Sequence, residues 1–327
     1  MHALTIALTT ALAVTATLSA GQRPGPVTLV SEVRAALAAH DLAQAEAIVV
    51  QRRAQQGTSS DVIEAISWLG RGALAEGQAD RAEQYAVEAQ RLALATLGSR
   101  TVDEDAKLAN AVGAAVEVQA QVSANRGARS DAIVVLEREL KTYRTTSIAK
   151  RIQKNINLLT LEGHPAPALD LSESMGVPLA AATADALKGK VVVLFFWAHW
   201  CPDCKIESPI LARLYVKYQS QGLAIVAPTQ RYGYVAGGAP APPDEELRYM
   251  LEVRDKYYGF LADVPVPVSA ANHQRYGVSS TPTVVILDRQ GIVRLYHPGR
   301  LTEEELESHL RPLLSAAAPL TRQGPAR

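Results

Sequence analysis

The sequence predicts an all-α region of helical hairpins followed by an α/β domain, on three observations. After Pro24 and Pro26 no proline occurs until Pro165. Interior proline costs a helix about 3 kcal/mol, so this long, Ala-rich stretch reads as helix. Of 17 aromatic residues, only Trp68, Tyr85 and Tyr143 come before residue 160, so the composition changes there. Finally, Val191-Val-Val-Leu-Phe-Phe-Trp197 is a continuous apolar, β-branched and aromatic run, the pattern of a strand buried on both faces. It leads into Cys201-Pro-Asp-Cys204 and then a helical pattern through Ile206, Ile210, Leu211, Leu214, Tyr215 and Tyr218.

Length and charge bound the function. A chain of 327 residues suggests about two domains. With 48% apolar and 20% charged residues it can bury real cores. Lys+Arg and Asp+Glu are both 33, so the basic footprint of a nucleic-acid binder is missing. Two cysteines exclude a disulfide-dense scaffold or a Cys-rich metal domain. No apolar run past residue 20 reaches the roughly 20 residues that cross a bilayer, so the body is expected to be soluble. Residues 3–20 carry no charge and end in small residues near Ser19-Ala20, which predicts an exported, periplasmic or otherwise extracytoplasmic protein. Cleavage after Ala16 reads equally well, and a retained N-terminal anchor is the alternative. Residues 317–327 are expected to form a flexible tail.

Within the first half, Gly77 is followed five residues later by Ala82, and Gly127 by Ala132; His40 and Ala45 repeat the spacing. Each pair marks a turn and then a small residue that lets two antiparallel helices approach. Leu69, Gly70, Gly77, Ala82 and Ala89 stand where a tetratricopeptide repeat places its packing residues. The resemblance is partial, because the turns lie 37 and 50 residues apart. Three tetratricopeptide-like hairpins are expected over about 28–143, in a helical domain 28–160. They form either a groove for a protein partner or a packing platform. Lys141, Arg144, Lys150, Arg151 and Lys154 are read as a solvated face, and residues 163–167 as a linker.

The chemistry lies in the cysteines. Cys201 falls at the start of a helix, with Pro202 in the first turn, where its missing N–H costs nothing. A helix N-terminus favours negative charge, so the Cys201 thiol is expected to acidify. Cys204, one turn on, is close enough to form a disulfide. This gives an exposed nucleophile and a shielded resolving thiol. A zinc site would want a second ligand pair, which the sequence lacks. A purely structural disulfide closing so short a loop would stabilise little.

Trp197-Ala-His-Trp200-Cys201-Pro-Asp-Cys204-Lys-Ile-Glu207-Ser-Pro209 resembles the W-A-x-W-C-x-x-C-x-x-E-x-P signature of TlpA/ResA-like thiol–disulfide oxidoreductases, a branch of the thioredoxin superfamily. Ala166–Leu171 resembles that family's opening strand, Leu187–Lys190 the turn before its central strand, and Tyr276–Asp288 its cis-proline loop and following strand. The resemblance implies a thioredoxin fold over 163–316, a central mixed sheet flanked by helices. It also implies a redox-active Cys201–Cys204 disulfide with no other cofactor, a cis Pro282, and a Thr281 backbone that pairs with substrate. Trp200 and Pro202 border the site. Glu207 matches the family's acidic residue near the thiols. Thioredoxin itself buries an Asp six residues before the first cysteine, where this chain has Phe195.

Asp203 disfavours a Cys201 thiolate and so predicts a comparatively reducing couple, with His199 and Lys205 acting against it. Leu223–Ala227 is expected as the next parallel strand, helix 202–219 being the crossover. The loop after it, Pro228 to Pro243, places Arg231, Tyr232 and Tyr234 beside the substrate groove. A helix at about 244–259 and a strand at Val264–Val268 follow. The expected function is an exported reductase of protein disulfides, by the resemblance often serving cytochrome c maturation and fed by a membrane or exported dithiol donor. A helical-repeat binding protein with secondary redox activity is the alternative. A thiol peroxidase fits poorly, because Ala198 and Leu194 occupy the positions where peroxiredoxins need Thr and Pro.

Overall fold

The structure, a computed structural model, describes residues 27–315; the predicted export segment and C-terminal tail lie outside them. The first half is a series of antiparallel helices: α1 (Leu29–Ala38), α2 (Leu42–Gln56), α3 (Ser60–Ala75), α4 (Ala79–Leu97), α5 (Ala106–Asn125) and α6 (Arg129–Tyr143). Side chains of Thr28, Asp41, Ser59 and Asp105 cap four of them, each taking up N–H groups that lack an intrahelical acceptor. The turns fall where the small residues predicted. His40, Gly77 and Gly127 have φ of 58°, 72° and 89°, and Ala45, Ala82 and Ala132 are buried between helices. A Cβ on Gly70 would stand 3.3 Å from the Ala82 carbonyl oxygen, so a larger residue would push α3 and α4 apart by a few tenths of an ångström. No helix among the described residues is long and apolar enough to cross a membrane.

A further helix, α7 (Ala149–Thr160), joins the halves and corrects the reading of the basic stretch. Lys141 and Arg144 are exposed, but Arg151 and Lys154 turn inward. With Arg71 they surround Glu117 of α5 at 3.8, 2.9 and 3.2 Å. Burial works to raise the Glu117 pKa, but these cations outweigh it and hold the carboxyl at about 2.

The second half contains α8 (Ala184–Leu187), β1 (Val191–Phe196), α9 (Pro202–Tyr218), β2 (Leu223–Val226), α10 (Pro243–Tyr257), α11 (Ala270–Arg275), β3 (Thr283–Leu287), β4 (Val293–Pro298) and α12 (Glu303–Ser315). The sheet order is β2-β1-β3-β4. β1 and β2 are parallel, and the other pairs antiparallel. All six β1 residues are buried because both faces are covered. Val191, Val193 and Phe195 pack in one apolar cluster with residues of α9, α10 and α12. Val192, Leu194 and Phe196 pack in another with Leu161, Tyr276 and Tyr296.

Two local expectations fail for identifiable reasons. Val264–Val268 is extended but makes only isolated bridges. The Pro265 and Pro267 carbonyls accept the N–H groups of Ala227 and Thr229, at 2.9 Å each, but neither proline has an N–H to return. Residues 163–167 are pinned rather than a free linker. The N–H of Gly163 donates to the Val293 carbonyl at 2.9 Å, and that of Val293 to the His164 carbonyl at 2.9 Å.

The two halves are in direct contact. The Asn157 side chain donates to the Arg275 carbonyl at 3.2 Å, and Lys150 Nζ to Gln230 Oε1 at 3.1 Å. Gly277 has φ 59°, and a Cβ there would meet the Lys154 backbone nitrogen at 2.3 Å. Gly277→Ala is therefore expected to lower stability by about 2 kcal/mol or more, from left-handed strain plus overpacking. A thermal midpoint unchanged from wild type would contradict this contact.

Candidate active site

The site is built where β1 runs out. The Trp197 indole N–H donates to the Ala227 carbonyl at 3.1 Å, and its ring packs on Tyr258 with centroids 4.6 Å apart. Thr229 Oγ1 donates to the Trp197 carbonyl at 2.9 Å. The buried Tyr258 hydroxyl reaches the carbonyls of Ala198 and Cys201, at 3.4 Å each. These contacts fix the short turn that delivers Cys201 to the N-cap of α9. There its sulfur accepts the Cys204 N–H at 3.0 Å, with Pro202 as the first helical residue. Cys201 and Cys204 form a disulfide, Cα atoms 5.3 Å apart.

Exposure differs from the expectation at Cys201. In this oxidised state Cys201 is 1% exposed and Cys204 fully buried. With its sulfur bonded inward to Cys204, Cys201 belongs to the same apolar cluster as Trp197, Ala198 and Tyr258. The exposed rim is instead Trp200, Pro202 and Asp203.

Glu207 is fully buried, not a surface carboxylate. Its Oε1 accepts the Leu301 N–H at 3.1 Å, while Oε2 has no hydrogen-bond partner. Burial pushes its pKa up to about 7; the Leu301 N–H and Arg300 pull it down, and Asp203 adds to the rise. Phe195, six residues before Cys201, is buried and apolar, so Glu207, one helical turn beyond Cys204, is the buried carboxyl that α9 itself supplies.

The Thr281–Pro282 peptide is cis. β1 and β3 pair antiparallel with Phe196 opposite Thr283. The cis peptide immediately precedes that pair, so this loop enters β3 beside the end of β1. The Thr281 hydroxyl is buried without a partner.

The loop after β2 is only partly as expected. Tyr232 does border the site, its ring edge-on to Trp200 at 5.5 Å. Arg231 is engaged elsewhere: its guanidinium pairs with Glu173, and its Nε donates to the Pro243 carbonyl at 3.3 Å. Three residues beside the site had no assigned place in it from sequence: Tyr258, Glu246 and, as a packing residue, His199. His199 and Glu246 are each 1% exposed, with Nε2 and Oε1 3.5 Å apart. Burial pushes the His199 pKa down, Glu246 pulls it up, and Lys205 lowers it further. The signal for Glu246 was its spacing: it falls in one stripe with buried Met250 and Val253.

A disulfide capping the helix that follows the central strand of a mixed sheet, with a cis-proline loop alongside, defines a protein of the thioredoxin fold equipped for thiol–disulfide exchange. The redoxin family matches residues 161–310. The chain is 31% identical over 149 residues to the thioredoxin-like protein YneN of Bacillus subtilis, covering 46% of this chain and 78% of that one. It is 30% identical over 123 residues to the thiol-disulfide oxidoreductase ResA of Geobacillus thermodenitrificans, covering 38% and 63%. It is 27% identical over 171 residues to the thiol:disulfide interchange protein DsbE of Xylella fastidiosa, covering 50% and 78%. The chain belongs to this thioredoxin-like redoxin family and is a thiol–disulfide oxidoreductase of the ResA/DsbE type.

The buried carboxyl gives stability a defined pH dependence. A Glu207 pKa of about 7, against 4.5 for the unperturbed group, means the folded state favours the protonated acid. Its contribution is fully present below pH 4.5 and lost as pH rises through 7. Glu207→Gln, neutral throughout, is therefore expected to gain on wild type by about 3 kcal/mol across this window, because each tenfold difference in proton affinity between the folded and unfolded chain is worth about 1.4 kcal/mol. Denaturant unfolding at pH 5, 6, 7 and 8 measures the gap. A constant gap would mean that Glu207 titrates normally.

Proposed function

We propose that the protein is an exported reductase of protein disulfides, with Cys201 as nucleophile, Cys204 as resolving thiol and Glu207 as the proton acceptor for Cys204. The Cys201 thiolate attacks a substrate disulfide, forming a mixed disulfide and releasing one substrate thiolate, which takes a proton from water. The Cys204 thiol gives its proton to Glu207 and attacks the Cys201 sulfur. The enzyme disulfide closes, the second substrate thiolate leaves, and two electrons have passed to the substrate. An external dithiol must reopen the pair.

The observation that carries this reading is the disulfide at the N-cap of α9 with a buried, high-pKa carboxyl one turn behind it. The Thr281 backbone, beside the cysteine turn, is assigned to pair with the substrate chain, with Trp200, Pro202 and Tyr232 along the rim. Arg231 holds the loop. Relatives named as a thiol-disulfide oxidoreductase and a thiol:disulfide interchange protein support a thiol or disulfide as substrate; the uncharged apolar stretch at residues 3–20 is what supports an extracytoplasmic site of action. The tetratricopeptide-like helical domain 28–160 is assigned to a protein partner, and 163–316 to the redox domain.

Reduced wild type is expected to reduce insulin disulfides, Cys201→Ser to show only background, and Cys204→Ser to accumulate a covalent adduct. Wild type that oxidises dithiols faster than it reduces disulfides would overturn the reductase direction. Asp203→His is expected to raise the reduction potential, by about 30 mV for each tenfold gain in stability of the reduced form. An equal or lower potential would remove Asp203 from the tuning of the couple.

A further inference from the structure

Glu246 stands on α10 in the stripe that buries Met250 and Val253, where an apolar side chain would be expected. A buried carboxylate needs partners. Its Oε2 accepts the Gly233 N–H at 2.9 Å, and its Oε1 accepts the Tyr232 N–H. Each carboxyl oxygen is thus engaged by a backbone donor of the Tyr232 loop. Oε1 also faces His199 Nε2 at 3.5 Å, a nitrogen that is buried and has no hydrogen-bond partner. Around that imidazole the rings of Tyr232, Tyr234 and Tyr249 stand edge-on, with centroids 5.5, 5.3 and 5.3 Å away.

One carboxylate thus ties three pieces together: α10, the turn just before Trp200-Cys201, and the loop that carries Tyr232. The loop has a second brace in the Arg231–Glu173 pair, but those side chains are 28% and 36% exposed. That bidentate pair fixes Arg231, whereas the buried Glu246 carboxylate accepts the N–H groups of Tyr232 and Gly233 themselves and is costly to disturb. Glu246 is therefore the brace applied directly at Tyr232, and Tyr232 packs on the exposed Trp200 beside the nucleophile.

We propose that His199 and Glu246 are positioning residues for disulfide exchange: they hold Tyr232 against Trp200 and so fix the aromatic wall along which a polypeptide substrate reaches Cys201. This rests on the thiol-exchange reading and adds to it the determinant of substrate size. A small disulfide needs only the sulfur, whereas a polypeptide must also pack its flanking residues on the wall.

The test compares wild type, Glu246→Gln, His199→Ala and the double variant, each with insulin and with a small aromatic disulfide. Glu246→Gln is expected to raise KM for insulin about tenfold, the equivalent of about 1.4 kcal/mol. Its kcat for insulin, and kcat/KM for the small disulfide, should stay within about twofold of wild type. The double variant is expected to be no worse than Glu246→Gln, because the two residues act as one unit. Parallel losses on both substrates, or losses that multiply in the double variant, would overturn the proposal. If Glu246→Gln does not fold, His199→Ala carries the same comparison, since it leaves both backbone bonds to the carboxylate in place. Wild type inactive on both disulfides would instead sink the exchange reading itself.

Discussion

The hydrogen bond from the Cys204 N–H to the Cys201 sulfur closes the first turn of α9. The first N–H groups of a helix have no intrahelical acceptor, and an oxygen from Ser, Thr or Asp usually takes one of them. Here a sulfur does it. When the disulfide opens, the same position leaves the Cys201 sulfur at the N-terminus of a 17-residue helix. The cap and the atom proposed as nucleophile are thus one sulfur. It requires the turn between β1 and α9 to have a fixed length and course. β1 cannot slide, because its alternate residues are locked into two different cores. Trp197, Thr229 and Tyr258 then hold the turn itself.

Two buried glutamates flank that turn, and their environments separate their roles. Glu207 accepts one backbone N–H and leaves its second oxygen unpartnered, so burial dominates and its proton is retained to about pH 7. Glu246 accepts two backbone N–H groups and faces an imidazole, so its charge is compensated by its surroundings. The first environment suits the proton-acceptor role proposed for Glu207, and the second a fixed anchor, because both Glu246 oxygens are held by backbone donors.

Local patterns were legible in the sequence; long-range pairings were not. The β1 run, the Pro202 start of α9, the three helical turns and the cis-proline loop are all carried by residues adjacent in sequence, and each appears where those residues placed it. The burial of Cys201 depends on segments far along the chain, among them Tyr258 packed against the same turn. Glu246 left a trace in its register with Met250 and Val253, but it stands in an acidic run whose other members, Asp244 and Glu245, are exposed. The basic run at 141–154 misled for the same reason: Glu117, which draws Arg151 and Lys154 inward, lies more than 30 residues upstream on α5. At Val264–Val268 the apolar alternation was real, but the two prolines removed the donors that a ladder needs.

The junction between the halves extends this logic to the helical region. α7 touches the redox half at positions that lead into both loops of the site. Lys150 meets Gln230, the residue before Arg231 and Tyr232. The backbone at Lys154 abuts Gly277, in the segment that leads to Pro282. Behind these contacts, Phe196 of β1 packs edge-on to His273 and tilted on Tyr276, with centroids 5.4 and 5.0 Å away. The Tyr276 carbonyl accepts the Tyr296 hydroxyl of β4 at 2.6 Å. A close-packed interior of this kind has low compressibility and passes strain on. The helical half therefore stands in direct packing contact with the segments that lead into the cis-proline loop and the aromatic loop.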